Sequence, residues 1–307
     1  MSLTAPTGLF ADAVTRVRQG RDALEQAQEL LTGLSQEEKL FLLDGDTEFW
    51  PGMAEMSKAY NTRPLPHGAN QRIGLPGLRF SDGPRGVVVG NATTFPVSMA
   101  RGASYDIALE EQIGLVIGRE LRASKANFFG GVCINLPRHP AWGRIQETYS
   151  EDSYALGEFG AALVRGVQRN AMAVAKHFAL NSMENTRFQV DVTADEATLH
   201  EVYLPHFRRV VQEGVFGVMT SYNSVNGQWA GQNEQLMEGV LRTEWGFQGV
   251  TVSDFVAGLR DAGLSLRAGL DVEEPFRQQR ATHLPGDLAS GKVSWEHVDR
   301  AGLRILA

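Results

Sequence analysis

Gly249-Val250-Thr251-Val252-Ser253-Asp254 reads as a short buried strand that delivers a carboxylate at its end. A run this brief and this apolar fits a strand covered on both faces, as the strands of a parallel sheet are. Four further runs share its character: Leu78–Ser81, Gly130–Leu136, Ala171–Ala175 and Gly217–Ser221. Between them lie stretches with helical spacing, roughly 105–124, 152–169, 195–213 and 233–245. The first carries Ile107, Ile113, Leu115, Ile117 and Leu121, a broad apolar face. Repeated strand–helix–strand units imply a parallel sheet of the α/β class. A chain of 307 residues is long enough for one large α/β barrel.

Working outward, residues 9–32 are rich in Ala, Gln, Glu and Arg and read as helical. Ser35 followed by Glu38 is the spacing of a capping box, so a helix is expected to start there. Residues 44–78, with Pro51, Pro64, Pro66 and Pro76, read as one long loop. The tail 276–307 reads as loop followed by a short helix, Trp295–Leu306. The expected organisation is a helical extension, 1–34, and a barrel, 35–307.

The strand exits carry the functional signal. Leu78-Arg79-Phe80-Ser81 runs into Asp82, the second run reaches Arg138 and then Arg144, and Val174-Ala175 runs into Lys176-His177. Val218-Met219-Thr220-Ser221 runs into Tyr222-Asn223, and Val252-Ser253 into Asp254. In a parallel barrel the C-terminal strand ends converge on one face, where active sites are built. Each residue alone has a plainer explanation: an Asp after a strand commonly caps a helix, and a Tyr-Asn pair commonly opens a turn. Together they suit a sugar pocket. Charge-assisted hydrogen bonds from Asp82, Arg144, Lys176 and His177 would hold ring hydroxyls, and Tyr222 or Phe255 would cover an apolar ring face. The cations are expected to hold Asp254 ionised, as the nucleophile of a retaining glycosidase must be.

Composition narrows the alternatives. With 43% hydrophobic and 21% charged residues the chain has the make-up of a globular protein. The net charge of −7 lacks the basic stripe that nucleic-acid binding needs. The single cysteine, Cys133, sits in an apolar run and reads as a buried thiol, with no internal disulfide available. Met1–Ala11 shows no basic segment leading into an apolar one, and no window spans a membrane, so a cytoplasmic protein is expected. The seven histidines are scattered without metal-ligand spacing, and no glycine-rich cofactor loop follows a strand, so no cofactor or metal is expected.

These motifs in this order resemble glycoside hydrolase family 3, on its β-glucosidase branch. The resemblance covers about residues 35–275. It rests on Ser81-Asp82-Gly83-Pro84, Asn135-Leu136-Pro137-Arg138 to Gly143-Arg144, Glu147 with Tyr149-Ser150-Glu151-Asp152, and Lys176-His177-Phe178. It continues through Asn181 with Glu184 and Arg187, Met219-Thr220-Ser221-Tyr222-Asn223, Val252-Ser253-Asp254, and Gly269-Leu270-Asp271 to Pro275. The resemblance implies a (β/α)8 TIM-type barrel, irregular in strand count, that cleaves terminal β-linked sugars through a covalent intermediate on Asp254. It implies substrate binding by Asp82, Arg144, Lys176, His177, Tyr222 and Met219, with Phe255 and Arg187 bordering the pocket. Glu147, Glu151 and Asp152 read first as structural, at a helix N-terminus. The loop after Phe178 lacks the second histidine of the family's hexosaminidase branch, which favours a glucoside.

Departures accompany the likeness. Phe255 stands where the family often has Trp. An Arg usual after Asp-Gly-Pro would fall near Val88, and Arg85 is the nearest substitute. The family's second α/β sandwich domain, the source of its acid/base glutamate, has no counterpart in the sequence read. Three readings follow: a partner chain or homo-oligomer supplies the acid; Glu184 or Glu147 supplies it; or the barrel binds a glycoside or oligosaccharide with weak or no turnover. An aldolase using Lys176 as a Schiff-base amine is the competing chemistry.

Overall fold

The structure is a computed structural model that describes residues 8–307. Its nine strands are β1 (Leu65–His67), β2 (Leu78–Asp82), β3 (Phe128–Cys133), β4 (Met172–Phe178), β5 (Asp191–Val192), β6 (Gly217–Thr220), β7 (Ser224–Val225), β8 (Gln228–Trp229) and β9 (Val250–Val252) among the described residues. The main sheet has the order β1-β2-β3-β4-β6-β9. Each neighbouring pair is parallel except β1 with β2. The mixed sheet corrects the expectation of uniform strand–helix alternation. Only the segment 68–77 joins β1 to β2, too short for the crossover that parallel pairing requires, so β1 turns back antiparallel.

The sheet curls. Beyond its two edges, Val252 pairs with Val272, Asp44 with Glu273, and Gly45 with His67. A second, three-stranded sheet, β5-β7-β8, is carried by the segments that follow β4 and β6.

Side chains alternate across the curl with period two. Leu78 and Phe80 of β2, Val174 of β4, Met219 of β6, Val250 and Val252 of β9, and Val272 form one buried cluster inside it. Their neighbours Ala173, Ala175 and Val218 join the larger cluster outside, packed under the helices Ile107–Ala123, Ser153–Val167 and Pro205–Gln212. Continuing four of these inner columns by two residues gives Asp82, Lys176, Asp254 and Glu274, and the β6 column gives Ser221. Leu65, which packs against the same cluster, is followed two residues later by His67. The apolar columns therefore end in a ring of polar side chains, and this ring is the site.

Several local expectations are met. Ser35 and Glu38 form the capping box of helix Gln36–Phe41. Asp152 caps Ser153–Val167 by accepting from the Ala155 N–H at 2.8 Å. The 9–32 segment is two helices, Leu9–Arg18 and Ala23–Thr32, divided at Gly20 and capped afresh by Asp22. Their residues Ala13, Ala27, Leu30 and Leu31 share a core with Leu42, Ile73, Leu75 and Leu306. Two helices fall where loop was expected, Phe49–Ala59 and Gln279–Ala289. No described helix is long and apolar enough to cross a membrane. The leaderless reading of Met1–Ala11 falls mostly outside the described residues.

Candidate active site

The Asp82 carboxylate at the end of β2 and the Lys176 ammonium of β4 meet at 2.6 Å across the intervening β3. The Gly83 N–H donates to the same Asp82 oxygen at 2.9 Å. Burial is the largest single influence and works against the charge on Lys176, but Asp82 together with Cys133 and Glu147 outweighs it and raises the amine above its ordinary range. A protonated amine locked to a carboxylate is not a carbonyl nucleophile, so the Schiff-base reading of Lys176 is set aside.

His177 is fixed by Asn135. The His177 backbone N–H donates to Asn135 Oδ1 at 2.8 Å, and the Asn135 amide donates back to the His177 carbonyl at 2.8 Å. His177 Nδ1 lies 3.0 Å from the same Oδ1, an acceptor, which assigns the ring proton to Nδ1. Nε2 then accepts from Arg144 Nη1 at 3.0 Å. Burial, Arg144, Lys176 and Arg187 all press the imidazole well below its usual range, so it is neutral. Glu147 grips Arg144 from behind with two bonds, Nε to Oε1 at 3.0 Å and Nη2 to Oε2 at 2.7 Å. Glu147 is thus a positioning residue for Arg144.

Asp254 is 7% exposed. Its Oδ1 accepts from the Phe255 N–H at 2.8 Å, while Oδ2 has no hydrogen-bond partner. Oδ2 stands 3.5 Å from His177 Nε2. The expectation that cations dominate its titration is corrected: burial raises the carboxyl, and Lys176, Arg144, the Phe255 N–H and Tyr222 only partly offset it. Tyr222 lies beside Asp254, but its one hydroxyl proton is directed to the Phe255 carbonyl at 2.7 Å.

Not every expected residue joins this group. Met219 is 1% exposed inside the apolar cluster, where its parity on β6 places it, and it packs rather than presents itself to solvent. The Phe255 ring packs on Phe80 at 5.0 Å, which occupies part of it. Tyr222 is also engaged, with the Arg187 guanidinium 4.6 Å over its ring and Phe188 edge-on at 4.7 Å. Glu184 stands aside: Trp142 Nε1 donates to Oε1 at 3.1 Å and Arg187 Nη1 to Oε2 at 2.7 Å. Glu184 and Trp142 border a cleft of about 460 Å³ whose lining also includes His139, Gly143, Met183 and Asn185. Arg85 and Arg138 are exposed, and Arg85 contacts only the Phe95 carbonyl, so Arg85 does not stand in for the missing arginine. The Cys133 thiol is buried and pushed up to about 12, as a structural thiol should be.

Sequence reading missed Asn135 as the orienter of His177, and missed Glu274 and His67. Glu274 lies two residues beyond Val272 on an inner column and is 0% exposed, with neither carboxyl oxygen hydrogen-bonded. His67 Nε2 is 3.8 Å from its Oε1. The parity of Val272 and Glu274 was the available signal. No cluster of metal-ligating residues occurs among the described residues.

Residues 40–307 match the model of the glycosyl hydrolase family 3 N terminal domain. A β-glucosidase of Rhizobium radiobacter is 34% identical over 288 residues, which cover 91% of this chain and 33% of that protein. Thermostable β-glucosidase B of Acetivibrio thermocellus is 33% identical over 295 residues, covering 91% of this chain and 37% of its own length. Among solved structures, β-glucosidase 3B of Thermotoga neapolitana in complex with glucose superposes with a TM-score of 0.85 at 31% identity. That superposition covers 91% of this chain and 42% of the other. The chain thus spans about a third of the length of the curated relatives it matches.

Proposed function

The chain belongs to glycosyl hydrolase family 3, and from that premise we propose that it carries the nucleophile and sugar pocket of a retaining β-glycoside hydrolase. The observation that carries this reading is the Asp254 carboxylate. One of its oxygens is anchored by a backbone N–H and the other is free, facing a neutral histidine that two further residues hold in place. A terminal β-glucosyl unit is the proposed ligand, its hydroxyls taken by Asp82, Lys176, Arg144 and His177. The solved relative with glucose bound supports a sugar of this kind.

Asp254 Oδ2 would form a bond to the anomeric carbon as the bond to the leaving oxygen breaks. Water would later cleave the resulting ester and regenerate the carboxylate. Arg144, Lys176 and the Phe255 N–H favour the ionised nucleophile against its burial. Both oxygens of Glu184 are held by Trp142 and Arg187, so the proton for the leaving oxygen is assigned to a carboxylic acid that is brought to the site from a partner chain, a second copy or further sequence. The cleft between Trp142 and Glu184 is proposed to receive the leaving group. The isolated pairings of 44–45 and 272–273 support a closed, irregular eight-staved barrel over 35–307, with 1–34 as a helical extension.

The test is phenol release from aryl β-glycosides with good leaving groups, which need little acid assistance. Wild type should release phenol, and Asp254→Ala should lose several orders of magnitude. Turnover that persists in the variant would remove Asp254 from the mechanism.

A further inference from the structure

Glu274 is a buried carboxyl that the mechanism above does not use. The segment carrying it runs alongside the nucleophile's own segment. The Ser253 N–H donates to the Val272 carbonyl at 3.0 Å, the Glu274 N–H to Ser253 Oγ at 2.9 Å, and the Val256 N–H to the Glu274 carbonyl at 3.1 Å. Those three bonds bracket Asp254 and fix the two acidic residues in register. Both side chains end inner columns of the curl, after Val252 and Val272 respectively. Neither Glu274 oxygen nor Asp254 Oδ2 has a hydrogen-bond donor.

Two carboxylates so placed, one of them with no solvent exposure and no donor, cannot both carry charge at neutral pH. Asp254 has a backbone donor and is favoured as an anion by both Lys176 and Arg144, whereas Glu274 has Lys176 alone, with the neutral His67 at 3.8 Å. The groups that bear on Glu274 are Asp254 from the segment after β9, Lys176 from β4, Asp82 from β2, His67 from β1 and the Tyr60 hydroxyl from the end of helix Phe49–Ala59. Of these only Lys176 favours a carboxylate. His67 is neutral because burial depresses it to about 4.

We propose that Asp254 and Glu274 act as one carboxyl pair in which Glu274 keeps the proton, leaving Asp254 as the charged member. Glu274 is then a positioning residue that sets the charge state of the nucleophile without touching the sugar. A consequence follows for the reaction cycle. When Asp254 becomes a neutral ester, the charge that held the proton on Glu274 is gone and Glu274 ionises more readily.

This inference rests on the reading of Asp254 as nucleophile, and two measurements separate their failures. Infrared spectroscopy of the whole chain should show a protonated carboxyl band at neutral pH that Glu274→Gln abolishes. In Asp254→Asn the same band should disappear at a lower pH, by about one unit or more, because a like charge has been removed. The Asp254→Asn arm stands even if the Glu274→Gln chain does not fold. No band assignable to Glu274, or a titration indifferent to Asp254→Asn, overturns the pair. Labelling of Asp254 by dinitrophenyl 2-deoxy-2-fluoro-β-glucoside, read by mass spectrometry, tests the nucleophile itself. The labelled protein should reproduce the shift seen in Asp254→Asn. A wild-type chain that is never labelled overturns the functional reading while the infrared result still judges the pair.

Discussion

Lys176 and His177 are adjacent in sequence yet tuned in opposite directions, the amine held charged by Asp82 and the imidazole held neutral by burial and Arg144. Replacing Lys176 with Met should weaken glucose binding by about 10- to 100-fold, the worth of a charged hydrogen bond of roughly 1.5–3 kcal/mol, read by calorimetric titration. Asn135→Ala should lower kcat more than it raises KM, since it frees the His177 ring without removing a sugar contact. His206 offers a pH test away from the site. It is fully buried, with Nδ1 unpartnered, and burial lowers it from 6.5 to about 3. The unfolded imidazole takes up a proton near pH 6.5 that the folded one refuses until about pH 3, so its contribution is lost as pH falls through that window. Against a His206→Leu variant, wild type should lose about 1.4 kcal/mol per pH unit there, followed by denaturant titration at each pH. At this scale much of the candidate site was legible: Asp82, Lys176, His177 and Asp254 fall at strand ends, and Arg144 is brought to them by the segment that follows β3. Met219 shares the inner face with Asp82, Lys176 and Asp254 but lies one step below the polar ring, within the apolar cluster, a depth that nearness to a strand end does not reveal. Counting parity forward from Val272 would have added Glu274.

Helices Ile107–Ala123 and Ser153–Val167 approach each other through glycine. A Cβ on Gly166 would lie 2.1 Å from the Glu111 carbonyl oxygen, and one on Gly114 would lie 2.7 Å from the Leu163 carbonyl oxygen. Backbone cannot yield as a side-chain tip does, so Gly166→Ala should push the helices apart and cost about 1–3 kcal/mol, measured by urea unfolding. The main strands and the helices between them were legible from periodicity alone. The helices Phe49–Ala59 and Gln279–Ala289 were not, because Pro51 with Gly52, and Pro285 with Gly286, punctuate each run. Pro51 falls in a first turn, where a missing N–H costs nothing. Pro285 sits inside its helix, against the local rule, and tertiary packing of Leu284 against Leu43, Leu266 and Val298 prevails.

Over the whole molecule, the two N-terminal helices and the C-terminal helix Trp295–Leu306 share a core, so the chain's described ends meet. Deleting residues 8–33 should uncover Leu42, Ile73, Leu75 and Leu306 and lower the melting temperature markedly, at about 1.5–3 kcal/mol for each large apolar side chain returned to water. A truncated chain as stable as the full one would show that the extension is merely attached. The curled sheet has a comparable long-range dependence. Segment 44–45 pairs with 272–273, and the buried Arg280 side chain reaches the Leu43 carbonyl across 237 residues of sequence. On the ribosome, the N-terminal margin of that sheet emerges early, while its partner is still untranslated. For most of synthesis the growing sheet therefore presents raw edges, and its aggregation hazard is concentrated in the interval before residue 273 leaves the exit tunnel.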